Sequence, residues 1–285
     1  MRLKDYDQSE RHEALVASTA PITPPSADQE IRELVLDVDG ALGLEAGQSI
    51  GVVAPGDPEL GQREHFRLYT IADLPEAAAN GRSRVKIAVK RVDYIDEYSG
   101  ERYEGRASNY LCDLGEGDRI TVVGPFGSPF PLPEEDDANL ILIGMGTGIA
   151  PFRAYVKRLY AERPDFSGAI RLFYGAKSGL ELAYMNDERD DFTQYYDRDT
   201  FVAIKALSPR PHWDDPIAWG AAVEQRGEEI WKMLLDHKTY VFLAGLEKIR
   251  SELDAVFEKV APSPDKWRRR KAELQAGGRW VELLY

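Results

Sequence analysis

Hydrophobic positions in the first half of the chain fall into short segments that favour β-strands. Three of them, rich in β-branched and aromatic residues, are 49–53, 67–72 and 85–92. Turn-forming sequences such as 55–58 (PGDP) and 79–81 (ANG) lie between them. Short strands with frequent turns predict an antiparallel β-barrel or sandwich.

The pattern changes after residues 131–137 (PLPEEDD), whose prolines and charges are typical of a domain junction. Beyond them, the apolar strand candidates 140–143, 169–174, 201–204 and 240–244 alternate with helical segments. Such alternation predicts βαβ units around a parallel sheet, which is the architecture of a doubly wound nucleotide-binding domain.

The most informative segment of this second half is 140–153 (LILIGMGTGIAPFR), where an apolar strand meets a glycine-dense turn and then a helix. Glycines let backbone amides approach an anion closely, and a helix start presents unpaired N–H groups to it. The helix is supported by one apolar face formed by Phe152, Tyr155, Val156 and Leu159. The segment therefore indicates a site for a phosphate-bearing cofactor.

Length and composition favour two domains, because 285 residues with 43% hydrophobic content exceed the usual size of a single core. We predict a mobile amino-terminal arm over 1–30, a β-domain over 31–135 and a nucleotide-binding domain over 136–285. No apolar run is long enough to span a bilayer, and the first eleven residues carry charges where a signal peptide is apolar. We expect a cytoplasmic protein.

Charge and cysteine content exclude several functional classes. A net charge of −13 argues against nucleic acid or an anionic membrane as partner. The single cysteine, Cys112, excludes an internal disulfide and cysteine-clustered zinc or iron–sulfur sites, and we expect it to pack as a small apolar residue. The four histidines are scattered without ligand-like spacing, so no metal site is expected.

One basic segment stands out in this acidic chain. Residues 264–285 contain six basic and three acidic side chains. Such a patch suits an acidic protein partner, with a solvated helix face as the alternative. The basic residues concerned are Lys266, Arg268, Arg269, Arg270 and Lys271.

Two motifs, 67–70 (RLYT) in the β-domain and 146–153 (GTGIAPFR) in the second domain, are accompanied by others in a fixed order. These others are 47–51 (GQSIG), 89–94 (VKRVDY), 108–114 (SNYLCDL), 124–125 (GP) and the terminal Tyr285. Together they resemble the plant-type ferredoxin–NADP reductase family over nearly the whole chain. The resemblance implies an FAD-binding β-barrel followed by an NAD(P)-binding domain.

The resemblance also implies which residues bind FAD. Arg67 would bind the pyrophosphate, Tyr69 would lie against the isoalloxazine, and the Thr70 hydroxyl would meet flavin N5, which accepts the hydride. Tyr94 matches the residue that stacks on adenine, and Ser108 matches a diphosphate contact. Taken singly, each has an ordinary structural alternative, such as a strand aromatic or a helix cap. The implied FAD-binding set also contains Leu68, Lys90, Arg106 and Ala107.

For the nicotinamide nucleotide, NADP(H) or NAD(H), the resemblance implies backbone contacts and one aromatic gate. The implied nucleotide-binding set is Gly146, Thr147, Gly148, Gly175 and Gly245. Tyr285 matches the terminal aromatic that covers the flavin face and must move aside for hydride transfer. Tyr285 and Thr70 are therefore the candidate catalytic residues, and Tyr285 also belongs to the cofactor-binding set.

Two positions near the expected nicotinamide site depart from the family pattern. Ala244 stands where the family has a cysteine, and Leu283 stands where it has a glutamate. Glu282 is one position too early and would point to the opposite face of a strand. Both family residues act around the nicotinamide, so these changes bear on the efficiency of hydride transfer.

A further departure concerns the choice between NADP and NAD. The family binds the 2′-phosphate with a Ser-Arg pair, whereas the nearest alignment here gives 206–207 (AL). Lys205, Ser208 or Arg210 would replace the pair only after a register shift, and Trp219 stands near a family tyrosine.

The expected function is that of an FAD-dependent oxidoreductase, similar to ferredoxin–NADP reductase. It would exchange a hydride with NAD(P)H and single electrons with a ferredoxin or flavodoxin that docks on the basic segment. Two alternatives remain: the reductase component of a dedicated oxygenase or other complex, and a flavin-binding subunit with weak NAD(P)H activity.

Overall fold

The computed structural model describes residues 3–58, 61–95, 98, 100–127, 130–213 and 215–285. The chain forms two compact units, one of Met1–Pro129 with Arg153–Arg158, the other of Phe130–Phe152 with Leu159–Tyr285. The division precedes Phe130, whereas the sequence placed the junction after residue 135. Phe130 belongs to the second unit because its ring stacks at 5.4 Å on Phe152 and 4.7 Å on Phe242, measured between centroids.

The first unit is built around an antiparallel seven-stranded sheet with the order β4-β3-β9-β1-β2-β6-β5. Its strands are β1 (Arg11–Pro21), β2 (Ile31–Asp39), β3 (Ser49–Pro55), β4 (Glu64–Thr70), β5 (Glu76–Ala77), β6 (Arg82–Lys90) and β9 (Arg119–Phe126). The described part of the unit also contains the hairpin of β7 (Asp93–Ile95) and β8 (Arg102–Glu104), the helix α1 (Arg106–Cys112) and three short 3-10 helices.

The sheet closes on itself immediately after β4. Ile71 forms an antiparallel bridge to Ile87 of β6, and the Ala72 N–H donates to the Lys86 carbonyl at 2.7 Å. Closure joins the β4 end of the strand order to β6, so the unit is an antiparallel β-barrel, as predicted.

The expectation of a mobile arm over residues 1–30 is corrected by β1. This strand pairs with both β2 and β9, and it places Ala14 and Val16 in the barrel core. The small residues of 11–21 weaken the period-two signal, so the sequence pattern does not indicate this strand. Cys112 is buried in the same core, and burial raises the pKa of its thiol to about 12, so it packs as a small apolar residue as expected.

The second unit contains a parallel five-stranded sheet with the order β12-β11-β10-β13-β14. Its strands are β10 (Leu140–Met145), β11 (Ile170–Ala176), β12 (Phe201–Leu207), β13 (Tyr240–Gly245) and β14 (Trp280–Leu284). The α-helices in the described part of this half of the chain are α2 (Ile149–Glu162), α3 (Trp219–Glu224), α4 (Gly227–Leu235), α5 (Ile249–Val260) and α6 (Pro264–Ala276).

This sheet confirms the four predicted strands and the doubly wound architecture. The chain runs outward from β10 through β11 to β12 and then returns to the other side of β10 as β13. The switch point therefore lies between β10 and β13, where open α/β sheets bind ligands at the carboxyl ends of their strands. In the described residues, no helix combines the length and apolar character needed to cross a membrane.

Candidate nucleotide and flavin site

The turn after β10, residues 146–148, contains two glycines that are required for different reasons. Gly146 has φ +56°, and a Cβ built on it meets no heavy atom of the described residues within 4 Å. Gly148 is closely packed, because its Cβ would lie 2.2 Å from the Ala244 carbonyl oxygen. The turn is thus open beside Gly146 and tightly packed on β13 at Gly148, which suits a backbone cradle for an anion.

The end of β13 packs against the same turn from the other side of the switch point. Gly245 has φ +137°, and a Cβ there would lie 2.9 Å from the Met145 Cβ and carbonyl oxygen. A side chain at position 245 would therefore force β10 and β13 apart at their carboxyl ends.

Tyr285 is held at this edge by its backbone and by its side chain. Its N–H donates to the Gly245 carbonyl at 3.0 Å, and its carbonyl accepts from the Glu247 N–H at 3.3 Å. The phenol oxygen lies 2.6 Å from Thr147 Oγ1, so the two hydroxyls share a hydrogen bond. The structure therefore brings Gly146–Gly148, Gly245 and Tyr285 together at the switch point.

Gly175, near the end of β11, packs against a buried aromatic ring. A Cβ at Gly175 would lie 2.4 Å from the Trp219 ring, and Trp219 is only 2% exposed, with its Nε1 donating to Glu252 Oε2 at 3.1 Å. The close approach at Gly175 is therefore made by the Trp219 indole.

Tyr174 supports the turn but was not singled out from the sequence. Its hydroxyl donates to the Gly146 carbonyl at 3.0 Å, and burial raises its pKa, so the phenol stays protonated. An aromatic residue at the end of a buried strand gives no pattern that reveals this role.

In the first unit, β4 presents the RLYT motif. Tyr69 pairs with Ile50 of β3, and its ring packs on the barrel core, so burial raises its pKa and keeps the phenol neutral. Thr70 ends the strand half-buried, and Leu68, also half-buried, pairs with Gly51. Arg67 is exposed, and its Nη1 donates to the Phe66 carbonyl at 2.9 Å.

A second guanidinium, that of Arg106 on α1, lies near the same part of β4. Both guanidinium groups lie close enough to His65 to act on its titration. The pKa of His65 is lowered first by burial and then by the positive charges of Arg67 and Arg106. Arg106 is half-exposed and forms an ion pair with Asp57. Two cations that converge from β4 and α1 fit the diphosphate of a dinucleotide.

The other candidates near α1 have mixed surroundings. Ser108 Oγ donates to the Gly105 carbonyl at 3.1 Å and accepts from the Val92 N–H at 3.3 Å, so this hydroxyl secures the start of its own helix. Ala107 is buried, and Lys90 ends β6 opposite Ile31.

Tyr94 lies on the β7–β8 hairpin as an exposed ring. It is 56% exposed and stacks on Tyr103 with 5.5 Å between centroids and 20° between planes. A ring exposed to this extent can stack on a base.

Comparisons with known proteins agree with this division of the chain. The oxidoreductase FAD-binding domain family matches residues 22–130, and the oxidoreductase NAD-binding domain family matches residues 142–251. A root-type chloroplastic ferredoxin–NADP reductase of Nicotiana tabacum is 31% identical over 99% of this chain and 78% of its own length. The chain belongs to the plant-type ferredoxin–NADP reductase family.

Two further comparisons, one with a curated relative and one with a solved structure, agree with this assignment. A ferredoxin–NADP reductase of Synechocystis sp. is 28% identical over 95% of this chain, which spans 66% of that protein. A solved ferredoxin–NADP+ reductase of Plasmodium falciparum has a TM-score of 0.72 at 19% identity, with 98% of each chain covered, and it shows the shared fold. The chain is thus an oxidoreductase with an FAD-binding domain and an NAD-binding domain.

Against the reductase family pattern, Glu282 does not replace the glutamate missing at Leu283. It accepts from Arg250 Nε at 2.8 Å and from Trp280 Nε1 at 2.7 Å. Burial alone would raise the pKa of Glu282, but the bonds from Arg250 and Trp280 outweigh it and lower the pKa below its ordinary value. Glu282 is therefore a structural carboxylate.

The loop after β12 shows what is left to bind a 2′-phosphate in this reductase. Ser208 is buried and its hydroxyl donates to the Asp215 carbonyl at 2.7 Å. Arg210 is 66% exposed and forms a two-point ion pair with the Asp215 carboxylate, at 2.8 and 3.2 Å. Lys205 is exposed. Arg210 is therefore an exposed cation of this loop that is paired with the Asp215 carboxylate.

More of the basic side chains of α6 are engaged in hydrogen bonds and ion pairs than the sequence indicates. Arg270 donates to the carbonyls of Leu234 and Asp236, and Lys271 donates to both Asp254 oxygens at 2.7 and 2.8 Å. Arg268 pairs with Asp265, and Arg269 pairs with Glu273 at 2.9 Å, yet both are largely exposed, as is Lys266. The exposed basic face of α6 consists of Lys266, Arg268 and Arg269.

Among the described residues, no group of three or more His, Cys, Asp or Glu side chains is arranged to hold a metal ion.

Proposed function

We propose that this protein transfers electrons between NADP(H) and a ferredoxin- or flavodoxin-like carrier through a bound FAD. The proposal rests on its family and on one structural observation, the convergence of Gly146–Gly148, Gly245 and Tyr285 at the switch point of the parallel sheet. When bound, FAD supplies the hydride acceptance and the one-electron donation that link the two partners.

In the first unit, we assign the diphosphate of FAD to Arg67 and Arg106, whose charges both reach His65. Ser108 and Ala107 at the start of α1, with Leu68 and Lys90, complete the proposed FAD-binding set. Tyr94 offers an exposed ring to adenine.

At the reacting end, the neutral Tyr69 phenol is proposed to lie against the isoalloxazine, and the Thr70 hydroxyl to offer a hydrogen bond at N5. Tyr69 is suited to this role because a buried, protonated phenol adds no charge beside the flavin.

In the second unit, the open side of Gly146 and the N–H groups of 146–149 are proposed to receive the pyrophosphate of the nicotinamide nucleotide. Thr147, Gly148 and Gly245 shape the same surface, and Gly175 is proposed as a second close approach of the backbone to the nucleotide. Tyr285 takes the role of the family's terminal aromatic, which excludes nicotinamide from the flavin until the ring moves aside.

For the 2′-phosphate we propose Arg210, assisted by Lys205. For the carrier we propose the exposed basic face of α6, because complementary charge accelerates encounter with an acidic partner. Lys271 and Arg270 are proposed to support that face, since both are tied to the rest of the second unit.

The proposal is tested by following NADPH oxidation with FAD-loaded protein and a plant-type ferredoxin coupled to cytochrome c. Reduction of cytochrome c that depends on all three components is expected. Rapid NADPH oxidation with a small acceptor but none through ferredoxin or flavodoxin would reject the carrier part and keep the flavin part.

A further inference from the structure

The hydrogen bond between Thr147 and Tyr285 joins the nucleotide-binding turn to the last residue of the chain. The two oxygens are 2.6 Å apart, although the residues are separated by 138 positions. Tyr285 is 60% exposed, although partial burial of its phenol raises the pKa, and its hydroxyl is joined to the turn by the bond to Thr147.

The backbone on both sides of this contact is held by neighbouring backbone. Tyr285 N–H is bound to the Gly245 carbonyl, and Gly148 is packed on Ala244. The ring can therefore leave its position by side-chain rotation, but only if the bond to Thr147 breaks. A side chain held in this way lowers the fraction of protein that is ready to bind a competing ring.

We infer that Thr147 is a positioning residue that latches Tyr285 in place through its hydroxyl, and so sets how readily the intact nicotinamide nucleotide binds. This inference rests on the proposed function, in which Tyr285 must yield to nicotinamide. It assigns to the threonine of the turn a task distinct from phosphate binding.

Three variants test the latch. Thr147→Val removes the hydroxyl with little change in shape, Tyr285→Phe removes the other partner and keeps the ring, and Thr147→Ser retains a hydroxyl. A net hydrogen bond of ordinary strength predicts that Thr147→Val and Tyr285→Phe each lower the Kd for NADP+ and the KM for NADPH by about two- to tenfold.

The pattern of effects distinguishes a latch from a phosphate contact. We expect KM to change more than kcat in both single variants. The double variant of Thr147→Val and Tyr285→Phe should resemble either single variant, and Thr147→Ser should keep the wild-type KM. ADP-ribose 2′-phosphate, which lacks nicotinamide, should bind the wild type and the Tyr285→Phe variant equally in calorimetry. Thr193→Val, which removes an exposed hydroxyl bond to the Asp190 carbonyl, serves as the matched control.

Two results would overturn the inference. A raised Kd in Thr147→Val with no change in Tyr285→Phe would assign the hydroxyl to the nucleotide itself. Additive effects in the double variant would show that the two hydroxyls act separately. Failure of the proposed function would give a different result from failure of the latch, because NADPH would then leave the wild-type flavin oxidised.

Discussion

Gly148 and Ala244 lie so close that a Cβ on the glycine would be 2.2 Å from the Ala244 carbonyl oxygen. This contact allows the nucleotide turn to pack directly on the end of β13, beside the backbone N–H groups that are proposed to receive the pyrophosphate.

Gly148→Ala should therefore damage nucleotide binding and stability together. The added methyl group cannot be accommodated without moving backbone, and we expect a loss of about 3 kcal/mol in the free energy of unfolding. Calorimetry with NADP+ should show a clear loss of affinity. Gly179→Ala is the matched control, because a Cβ there meets nothing within 4 Å. Equal effects of the two variants would contradict the close-packing explanation.

Asp215 should limit the preference for NADPH. Its carboxylate pairs with Arg210 and would repel a 2′-phosphate, so Asp215→Asn should raise kcat/KM for NADPH by about two- to fivefold, within the range of an exposed ion pair. The value for NADH should not change. Arg210→Gln should lower the NADPH value alone. Parallel changes for both nucleotides would exclude this loop from 2′-phosphate recognition.

The exposed basic face of α6 should affect the carrier more than small acceptors. With Lys266→Glu and Arg269→Glu combined, we expect the ratio of the ferredoxin rate to the ferricyanide rate to fall by about tenfold at low salt. The difference should shrink as ionic strength rises. Lys232→Glu, an exposed charge on α4, is the control. An unchanged ratio would place the docking surface elsewhere.

A buried ion cluster in the first unit should make stability depend on pH. Asp73 accepts from Lys157 at 2.8 and 3.0 Å and from Lys86 at 2.9 Å, and Arg153 lies 2.9 Å away. Burial alone would raise its pKa, but the bonds from Lys157 and Lys86 and the charge of Arg153 bring it well below its usual range.

Because this pKa is lowered in the folded state, the stabilisation is complete above the ordinary value of 3.8 and is lost as pH falls below it. At pH 7, Asp73→Asn should lower the free energy of unfolding by about 3 kcal/mol, because it leaves buried cations without their counter-charge. Melting temperatures at pH 7 and pH 3 check this, with the exposed Asp28→Asn as control. The difference in melting temperature between Asp73→Asn and wild type should be smaller at pH 3 than at pH 7. The same difference at both pH values would contradict the stabilising role of the Asp73 carboxylate.

The sequence predicts the elements with strong periodicity and misses those defined by distant contacts. The strand, turn and helix from Leu140 to Arg153 follow from apolar spacing and glycine content. β1 was missed because its small residues give weak alternation. The Thr147–Tyr285 bond joins positions 138 residues apart, and no local pattern encodes it.

The hydrogen bonds and packing contacts of individual side chains could not be predicted from the sequence either. Arg270 and Lys271 look like free charges until the structure shows them bound to carbonyls and to Asp254. Trp219 stands near a family tyrosine in the sequence, whereas in the structure its ring is buried against Gly175. Such contacts depend on tertiary packing, which residue type and spacing do not determine.

The proposed function is tested most directly by the visible absorption spectrum of the FAD-loaded protein under anaerobic conditions, recorded before and after addition of NADPH and, separately, NADH. We expect the flavin bands to bleach with NADPH at a rate well above that with NADH. Bound flavin that neither nucleotide bleaches would contradict hydride transfer at this site and would shift the explanation to the changes at Ala244 and Leu283.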